Sequence, residues 1–187
     1  MPITQYYTAT TLDGFIADEH NSLQWLFDVS DDESPESGDS GWQEFFDGAG
    51  ALAMGSTTWE WVVDHEDLVH HPERWRNVYG DRPTWVLSSK PRTVVPDVNV
   101  RFVNGDVAPV HAEMTEAAAG RNVWIVGGGD LVGQFHDAGL LDQVIATVAP
   151  VTLGAGAPLL PRRIEGMRLR NVNQFGPMVT LTYDVKG

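Results

Sequence analysis

Residues 123–150 read VWIVGGGDLVGQFHDAGLLDQVIATVAP. A run of β-branched and aromatic residues ends in three glycines, and a helical pattern and a second β-branched run follow it. This order predicts the strand, helix and strand unit from which parallel sheets are built. Because glycine has no Cβ, the backbone of Gly127, Gly128 and Gly129 can approach a ligand closely. The stretch therefore predicts an α/β fold with a binding edge where a strand ends.

The rest of the chain repeats this alternation of strand-like and helix-like segments. The strand candidates are residues 3–10, 51–55, 84–89, 98–103, 122–127, 143–151, 168–175 and 178–185. The helix candidates are residues 41–47, 57–64, 107–119 and 130–138. Gly176 and Pro177 predict a turn, so the last two strands would form an antiparallel hairpin. We expect a single domain over residues 1–187, with three α/β/α layers and a mostly parallel central sheet.

The composition excludes several classes of protein. A net charge of −14 argues against nucleic-acid binding, which depends on neutralising phosphates with Lys and Arg. The absence of cysteine removes disulfides and thiolate chemistry. There is no 18-residue apolar run and no signal-peptide pattern, so we expect a cytoplasmic protein without a membrane partner. Eight acidic residues and no basic one lie between Asp28 and Asp47, a pattern typical of a solvated loop.

The triple glycine is suited to a phosphate. A helix N-terminus carries a partial positive charge and free N–H donors, so a pyrophosphate fits where the strand turns into the helix. The spacing does not match the dinucleotide fingerprint of the Rossmann fold. The alternative is a purely local turn, in which Asp130 caps the helix over 130–138 and Gly139 ends it.

Two further strand ends carry similar chemistry. Gly55 is followed by the hydroxyl residues 56–58 at the start of a predicted helix. The third strand end, residues 87–92, offers two serines together with Lys90 and Arg92. Parallel strands present their carboxyl ends at one edge of a sheet, where open α/β sheets bind ligands. The three ends together indicate a dinucleotide with several phosphates.

The chain resembles a known family in these same segments. Residues 11–17 (TLDGFIA), 54–60 (MGSTTWE), 87–89 (LSS) and 125–129 (IVGGG) resemble the dihydrofolate reductase fold. Residues 12–17 (LDGFIA), 139–142 (GLLD) and 150–160 (PVTLGAGAPLL) are similar to the reductase domain of the bifunctional deaminase–reductase of riboflavin biosynthesis. The likeness runs from about residue 3 to residue 185.

The resemblance implies an NADPH-dependent reductase. The implied cofactor-binding residues are Ala17, Gly55, Ser56, Thr57, Thr58, Leu87, Ser88, Ser89, Lys90, Val126, Gly127, Gly128, Gly129, Asp130 and Leu131. Residues 127–131 would wrap the pyrophosphate, with the two threonines binding it from the second helix. Ser88 and Ser89, with Lys90 or Arg92, would hold the 2′-phosphate. The family commonly places Arg where Ser56 stands.

The sequence gives three kinds of catalytic candidate: Asp13, Trp25 and a carboxylate near the first helix. Asp13 either forms an Asp-Gly turn or shapes the loop against the nicotinamide. Trp25 either stacks on the acceptor or belongs to the core, as its apolar neighbours favour. Dihydrofolate reductases carry a carboxylate on the first helix, and Asp39 and Glu44 are the candidates here. Neither falls clearly at the matching position, which makes folate the less favoured substrate.

The reading that we favour is hydride transfer to a small heterocyclic, imine or carbonyl acceptor, resembling the 5-amino-6-(5-phosphoribosylamino)uracil of riboflavin biosynthesis. The acidic loop disfavours a phosphate-bearing acceptor and favours a neutral or cationic one. A true dihydrofolate reductase, a nucleotide-binding protein without turnover and a dimeric scaffold are the alternatives. The related reductases are generally dimers, so a homodimer is expected. His65, His70 and His71 match no zinc spacing, so no metal is predicted.

Overall fold

The computed structural model describes residues 1–30 and 41–185. An eight-stranded sheet crosses the molecule in the order β5-β4-β3-β6-β1-β7-β10-β9, and β2 pairs with β8 in a separate small ribbon. The strands are β1 (Thr4–Thr11), β2 (Phe15–Ala17), β3 (Ala49–Gly55), β4 (Thr84–Leu87), β5 (Val100–Val103), β6 (Asn122–Gly127), β7 (Gln143–Ala149), β8 (Ala157–Pro158), β9 (Arg168–Phe175) and β10 (Met178–Asp184). The helices are α1 (Gln24–Ser30), α2 (Trp42–Gly48), α3 (Ser56–His65), α4 (Arg74–Tyr79), α5 (Val107–Ala117) and α6 (Gly129–Asp137).

Apolar layers cover both faces of the sheet. β3 is buried from Ala49 to Met54, which is the pattern of a strand covered on both sides. Tyr6 belongs to a core cluster with α5 and α6, whereas Tyr7 belongs to a cluster with α3 and α4. Because neighbouring residues on a strand point to opposite faces, these clusters are two layers separated by the sheet. The predicted three-layer α/β/α architecture is confirmed.

The predicted C-terminal hairpin is confirmed as well. β9 and β10 pair antiparallel with Phe175 opposite Met178, and Gly176 adopts a positive φ of 51° in the turn. β10 also pairs antiparallel with β7, while the strands from β5 to β7 in the sheet order are parallel. The hairpin therefore adds an antiparallel wing to a parallel sheet.

Four elements were not predicted: β2, β8, α1 and α4. The two strands have three and two residues, too few to show an alternating pattern. The two helices have seven and six residues, which is less than two full turns of helix. These short elements nevertheless matter, because several of their residues border the cleft described below.

The parallel register brings the predicted strand ends together. Gly55 at the end of β3 lies opposite Leu87 at the end of β4, and Met54 lies opposite Gly127 at the end of β6. The capping role predicted for Asp130 is wrong. The helix begins one residue earlier, after the N-cap residue Gly128, and no side chain caps it. Gly139, with a φ of 71°, follows the end of α6 as predicted.

Candidate active site

A cleft of about 660 Å³ opens at the edge where these strands end. Its wall includes the end of β6, the first turns of α3 and α6, and the β2–β8 ribbon. Eight of the predicted cofactor-binding residues line it, namely Ala17, Thr57, Thr58, Val126, Gly127, Gly128, Gly129 and Asp130. An open cleft therefore lies at the carboxyl edge of the sheet, where the sequence predicts a binding site.

One part of the cleft, the glycine half, consists of Thr57, Thr58, Gly127, Gly128 and Gly129. Both α3 and α6 begin after a glycine, and no side chain caps either helix. Their first-turn amides are consequently available to a ligand, and both helix dipoles favour an anion there.

The glycine half has room for a phosphate against its backbone. A Cβ built on Gly128 would meet only Ile16 Cδ1, at 3.8 Å. Because glycine carries no Cβ, this space stays open to a ligand. A Cβ on Gly127 would come within 3.4 Å of Thr58 Oγ1, which shows how close the hydroxyl lies to the strand end. The peptide bond between Gly127 and Gly128 is cis. Bare amides, two hydroxyls and two helix N-termini fit a pyrophosphate group.

Gly129 has a different role from Gly128. A Cβ on Gly129 would collide with the backbone carbonyls of Pro158 and Leu159. The segment after β8 therefore packs directly on the start of α6, and Tyr6 supports it by donating a hydrogen bond from its hydroxyl to Leu159 O at 3.1 Å. The second glycine faces the cleft while the third fixes the wall behind it.

Asp130 brings a negative charge to the first turn of α6. Its carboxylate accepts hydrogen bonds from Gln134 and from Arg162 Nη2, at 3.0 and 3.2 Å. Arg162 also donates from Nε to Asp137 at 2.9 Å, and these two carboxylates raise the pKa of the guanidinium, the hydrogen bond to Asp137 contributing most. The arginine thus offsets the aspartate charge beside the glycine half.

The end of β4 forms a separate polar corner outside the cleft lining. The hydroxyl of Ser88 donates to Lys90 O and accepts from Arg92 Nε, both at 2.8 Å. Glu60 of α3 lies 3.9 Å from Arg92 Nη1 and accepts a hydrogen bond from the Thr93 hydroxyl at 3.0 Å. Gly55, Ser56, Leu87, Ser89 and Leu131 also lie outside the cleft lining. The predicted cations are therefore placed near β4, with one carboxylate beside them.

The other part of the cleft, the aromatic half, consists of Tyr7, Trp42, Tyr79 and Trp124. The Trp42 ring contacts Tyr7 and Trp124 edge-on, at centroid distances of 5.2 and 5.3 Å. Tyr79 lies 6.1 Å from Trp124 by the same measure. Trp124 precedes Gly127 by three residues on β6, which is about 10 Å along a strand. The aromatic half therefore lies deeper along the sheet than the glycine half.

Residues of one sheet face form the floor between these halves. Ala9 and Thr147 are neighbours in the β1–β7 register, and both line the cleft together with Val126. The Thr147 hydroxyl shares a buried hydrogen bond of 2.9 Å with the Thr180 hydroxyl. The floor is thus apolar except for this hydroxyl pair.

Asp13 lies outside the cleft lining and holds a loop. Its carboxylate accepts hydrogen bonds from the amides of Leu153 and Gly154, the shorter at 2.7 Å, and from the Thr11 hydroxyl. The Thr11 bond first, and then the Gly154 amide, lower the pKa of this carboxyl. The arrangement ties the start of the β2 loop to the loop after β7.

Trp25 and Glu44 also lie outside the cleft lining. Trp25 is buried in a cluster with Phe175 and Met178, both of which border the cleft from the hairpin side. Glu44 is exposed on α2, the helix that carries Trp42. Asp39 and the acidic residues at 31–36 fall outside the described residues. Sequence reasoning did not find the aromatic half, because its four residues come from four elements that lie far apart in the chain: β1, α2, α4 and β6.

The described residues contain no group of three or more His, Asp or Glu side chains that could hold a metal ion. His70 instead pairs with Asp67 through Nδ1 at 2.6 Å, and His71 pairs with Glu73 at 3.2 Å. None of the helices formed by residues 1–30 and 41–185 has the length and apolar content needed to cross a bilayer.

The model of the RibD C-terminal domain family matches residues 2–181. The chain belongs to the RibD C-terminal domain family. It is 32% identical over 182 residues to the uncharacterized protein YwjB of Bacillus subtilis (strain 168), covering 96% of both chains. The predicted resemblance to the riboflavin-biosynthesis reductase domain is therefore confirmed.

Solved structures agree with this assignment. A Shewanella sp. PV-4 protein, provisionally assigned to riboflavin biosynthesis, matches with a TM-score of 0.75 and 26% identity over 99% of both chains. The deaminase/reductase of Thermotoga maritima matches with a TM-score of 0.61 and 16% identity, over 98% of this chain and 56% of that one. Dihydrofolate reductase of Enterococcus faecalis matches with a TM-score of 0.59 and 15% identity, over 99% and 97%. The last two comparisons show the dihydrofolate reductase-like fold.

Proposed function

We propose that this member of the RibD C-terminal domain family is an NADPH-dependent reductase that transfers a hydride to a small heterocyclic, imine or carbonyl acceptor. The observation that carries the proposal is the cleft itself. Two uncapped helix N-termini and a bare glycine edge face one side of it, and aromatic rings face the other. The Enterococcus faecalis reductase of the same fold was crystallised with NADP(H), which supports this cofactor.

The glycine half would bind the pyrophosphate. The amides of residues 127–131 donate hydrogen bonds from the strand end and the first turn of α6, while Thr57 and Thr58 donate from α3. Gly55 and Ser56 allow α3 to begin close to the phosphates. Leu87 ends β4 and Val126 directly precedes the last residue of β6, the two strands on either side of β3. Ser88, Ser89 and Lys90, with Arg92, would recognise the 2′-phosphate.

The nicotinamide ring would lie between the two halves, against the backbone of Ala17. Bound NADPH supplies the hydride, and the chain's residues position both reactants and exclude water. The β2–β8 ribbon covers this region with Ile16, Ala17 and Pro158, all of which line the cleft. Closure of apolar side chains over the ring would strengthen electrostatic interactions inside the site.

The three catalytic candidates have distinct proposed roles. Asp13 acts as a positioning residue, because its hydrogen bonds hold the loop at 153–154 against the β2 loop. Trp25 supports the acceptor pocket from behind through Phe175 and Met178. Glu44 on α2 is the candidate proton donor; because it is exposed and lies outside the cleft lining, it would pass its proton through water, and Glu44→Gln should then lower kcat without changing NADPH affinity.

A nucleotide-binding protein without turnover is the second candidate. Asp130 is the only carboxylate among the described residues that line the cleft, and it lies beside the glycine half. The aromatic half therefore contains no acid to protonate a pterin in the way that a true dihydrofolate reductase requires. A protein of the second kind would bind NADPH and reduce no acceptor.

We also propose a cytoplasmic homodimer. β9 is the edge strand of the large sheet, and its side chains Leu169 and Val172 are 50% and 55% exposed. The unpaired edge of this eight-residue strand is a template for pairing with another chain. Light scattering should give the mass of two chains, and the mass of one chain would reject the dimer.

Titration with NADPH and NADH tests the proposed function directly. Micromolar or tighter NADPH binding, with weaker NADH binding, is the expected result. Acceptor-dependent loss of the reduced-nicotinamide absorbance then separates the reductase from the binding protein. If NADPH does not bind, both candidates fail.

A further inference from the structure

The cleft is uneven in charge. None of the described residues that line it is Lys, Arg or His. The glycine half compensates with main-chain amides and helix dipoles, which are suited to phosphates. The aromatic half has no cation among the described lining residues, and the helix that begins there, α2, has seven residues, whereas α3 has ten and α6 has nine. A phosphate placed there would lose its hydration without gaining a counter-charge.

Two arginines that contact elements of the cleft wall are already engaged. Arg82 donates to the carbonyls of Ala49, Phe46 and Tyr79 and stacks on the Phe46 ring at 3.8 Å, so it lies behind the aromatic half. Arg162 is paired with Asp130 and Asp137. Neither guanidinium is free to turn toward a second phosphate.

His65, which stacks on a residue of the cleft lining, is also already engaged. It stacks on Trp61, a lining residue, and on Phe27, with centroid distances of 4.5 and 5.0 Å. Its Nε2 lies 3.9 Å from the Glu66 carboxylate. The imidazole is therefore held between two rings, with a carboxylate as its charged neighbour.

The sequence joining α1 and α2 adds negative charge only. Residues 31–40 read DDESPESGDS, with five acidic residues and no basic one. Both flanking helices contribute cleft residues, Leu26 and Trp42. The net charge of −14 on the whole chain slows the approach of an anion.

Shape and chemistry favour a flat ring in this half. Trp42 meets Tyr7 and Trp124 edge to face, and all three rings line the cleft together with the smaller side chains of Ala9 and Val126 on the floor. Flat aromatic molecules gain from offset or edge contacts with such rings. The Thr147 hydroxyl on the floor is already paired with the Thr180 hydroxyl in a buried hydrogen bond, so it adds little polarity to this half.

We propose that the acceptor is an uncharged, planar aromatic heterocycle or quinone that carries no phosphate group. This inference rests on the proposed function, because it assigns the substrate class of the same cleft. It separates this chain from the Thermotoga maritima enzyme, which is described as a reductase of 5-amino-6-(5-phosphoribosylamino)uracil. Reduction places a hydride on the carbon of a C=N or C=O bond and a proton from water on the nitrogen or oxygen, while NADPH is oxidised to NADP⁺.

Two matched pairs of probes test this substrate class. The first pair is 5-amino-6-(5-phosphoribosylamino)uracil and the same compound after removal of its phosphate. The second is 1,4-naphthoquinone and its 2-sulfonate. Binding of each probe to the protein saturated with NADP⁺ is measured by calorimetry, and turnover with NADPH is followed by absorbance.

The uncharged member of at least one pair should bind about tenfold or more tightly than its anionic counterpart. Equal or tighter binding of the anionic members would overturn the proposal. So would a failure of all four probes to bind while NADPH binds normally. Failure of the proposed function has a different signature, since NADPH itself would then not bind in the preceding titration.

Discussion

The glycine half of the cleft presents main-chain atoms, whereas the aromatic half presents side chains. In the first, Gly127 and Gly128 leave amides and two helix starts open to the solvent-filled cleft. In the second, rings from β1, β6, α2 and α4 meet one another. The difference teaches that one cleft can select an anionic coenzyme by backbone geometry and an uncharged partner by ring packing.

The largest effect should come from filling the glycine half. Gly128→Val should weaken NADPH binding at least about 100-fold, or about 2.7 kcal/mol, because the side chain would occupy the space of the pyrophosphate. The φ of −93° at Gly128 suits valine, and its Cβ would lie in ordinary contact with Ile16, so the fold should persist. Calorimetric titration measures the loss.

Gly48→Val is the matched control. Gly48 lies outside the cleft lining, and a Cβ there would meet only Asn122 Nδ2, at 3.9 Å. This variant should bind NADPH like the parent protein. Equal NADPH affinity in both valine variants would show that the glycine edge is not a phosphate site.

Removing a ring should affect the other half selectively. Trp42→Ala should weaken binding of 1,4-naphthoquinone to the NADP⁺-saturated protein about tenfold, since a buried aromatic contact contributes about 1 kcal/mol or more. NADPH affinity should change less than about twofold. Phe102→Ala is the control, because Phe102 is as exposed as Trp42, at 38%, and lies on β5 away from the cleft. If Trp42→Ala lost as much affinity for NADPH as for 1,4-naphthoquinone, the two halves of the cleft would not bind separate ligands.

The polar corner after β4 should decide between the two nicotinamide coenzymes. Replacing Ser88, Ser89 and Lys90 together by alanine should lower NADPH affinity about tenfold and leave NADH affinity unchanged, because only NADPH carries the 2′-phosphate. Competitive titration of the two coenzymes gives the ratio. A ratio equal to that of the parent protein would place 2′-phosphate recognition elsewhere.

Glu60 should oppose that recognition. Its carboxylate lies 3.9 Å from Arg92 and competes with a phosphate for the guanidinium. Glu60→Gln should therefore strengthen NADPH binding about threefold, a small effect as expected for a partly exposed pair. Glu66→Gln, on the residue directly after α3, is the control. Weaker NADPH binding in Glu60→Gln would mean that Glu60 positions Arg92 instead.

Asp13 should show the smallest effect, on stability and through pH. Its folded-state pKa is lowered from 3.8, so its contribution to stability is present above that value and is lost as the pH falls through the lower folded-state pKa. Asp13→Asn should lower the Tm near neutral pH, and the difference from the parent should shrink in strong acid. Asp64→Asn, on an exposed helix residue, is the control. A Tm difference that does not vary with pH would show that the ionised Asp13 carboxylate is not the source of the stability difference.

The sequence predicts the glycine half well because its signals are local. A strand, a glycine and a helix follow one another at Gly55 and again at Gly127, and the parallel register then brings these ends together. The error at Asp130 is of one residue: the helix starts at Gly129, so Asp130 lies inside the first turn and pairs with Arg162.

The aromatic half could not be predicted in the same way. Tyr7 and Trp42 become neighbours of Trp124 only after β1 and β6 pair and α2 packs on them. Taken singly, each of these residues has the pattern of a core aromatic. Trp25 shows the same ambiguity, and its burial against Phe175 and Met178 gives it a packing role behind the cleft.

A crystal structure of the protein with NADP⁺ is the most direct test of the central claim. The account predicts the pyrophosphate oxygens within hydrogen-bonding distance of the amides of residues 128–131 and of the Thr58 hydroxyl, with the nicotinamide ring directed toward Trp42 and Trp124. A coenzyme bound elsewhere, or a pyrophosphate that lies in the aromatic half, would contradict it.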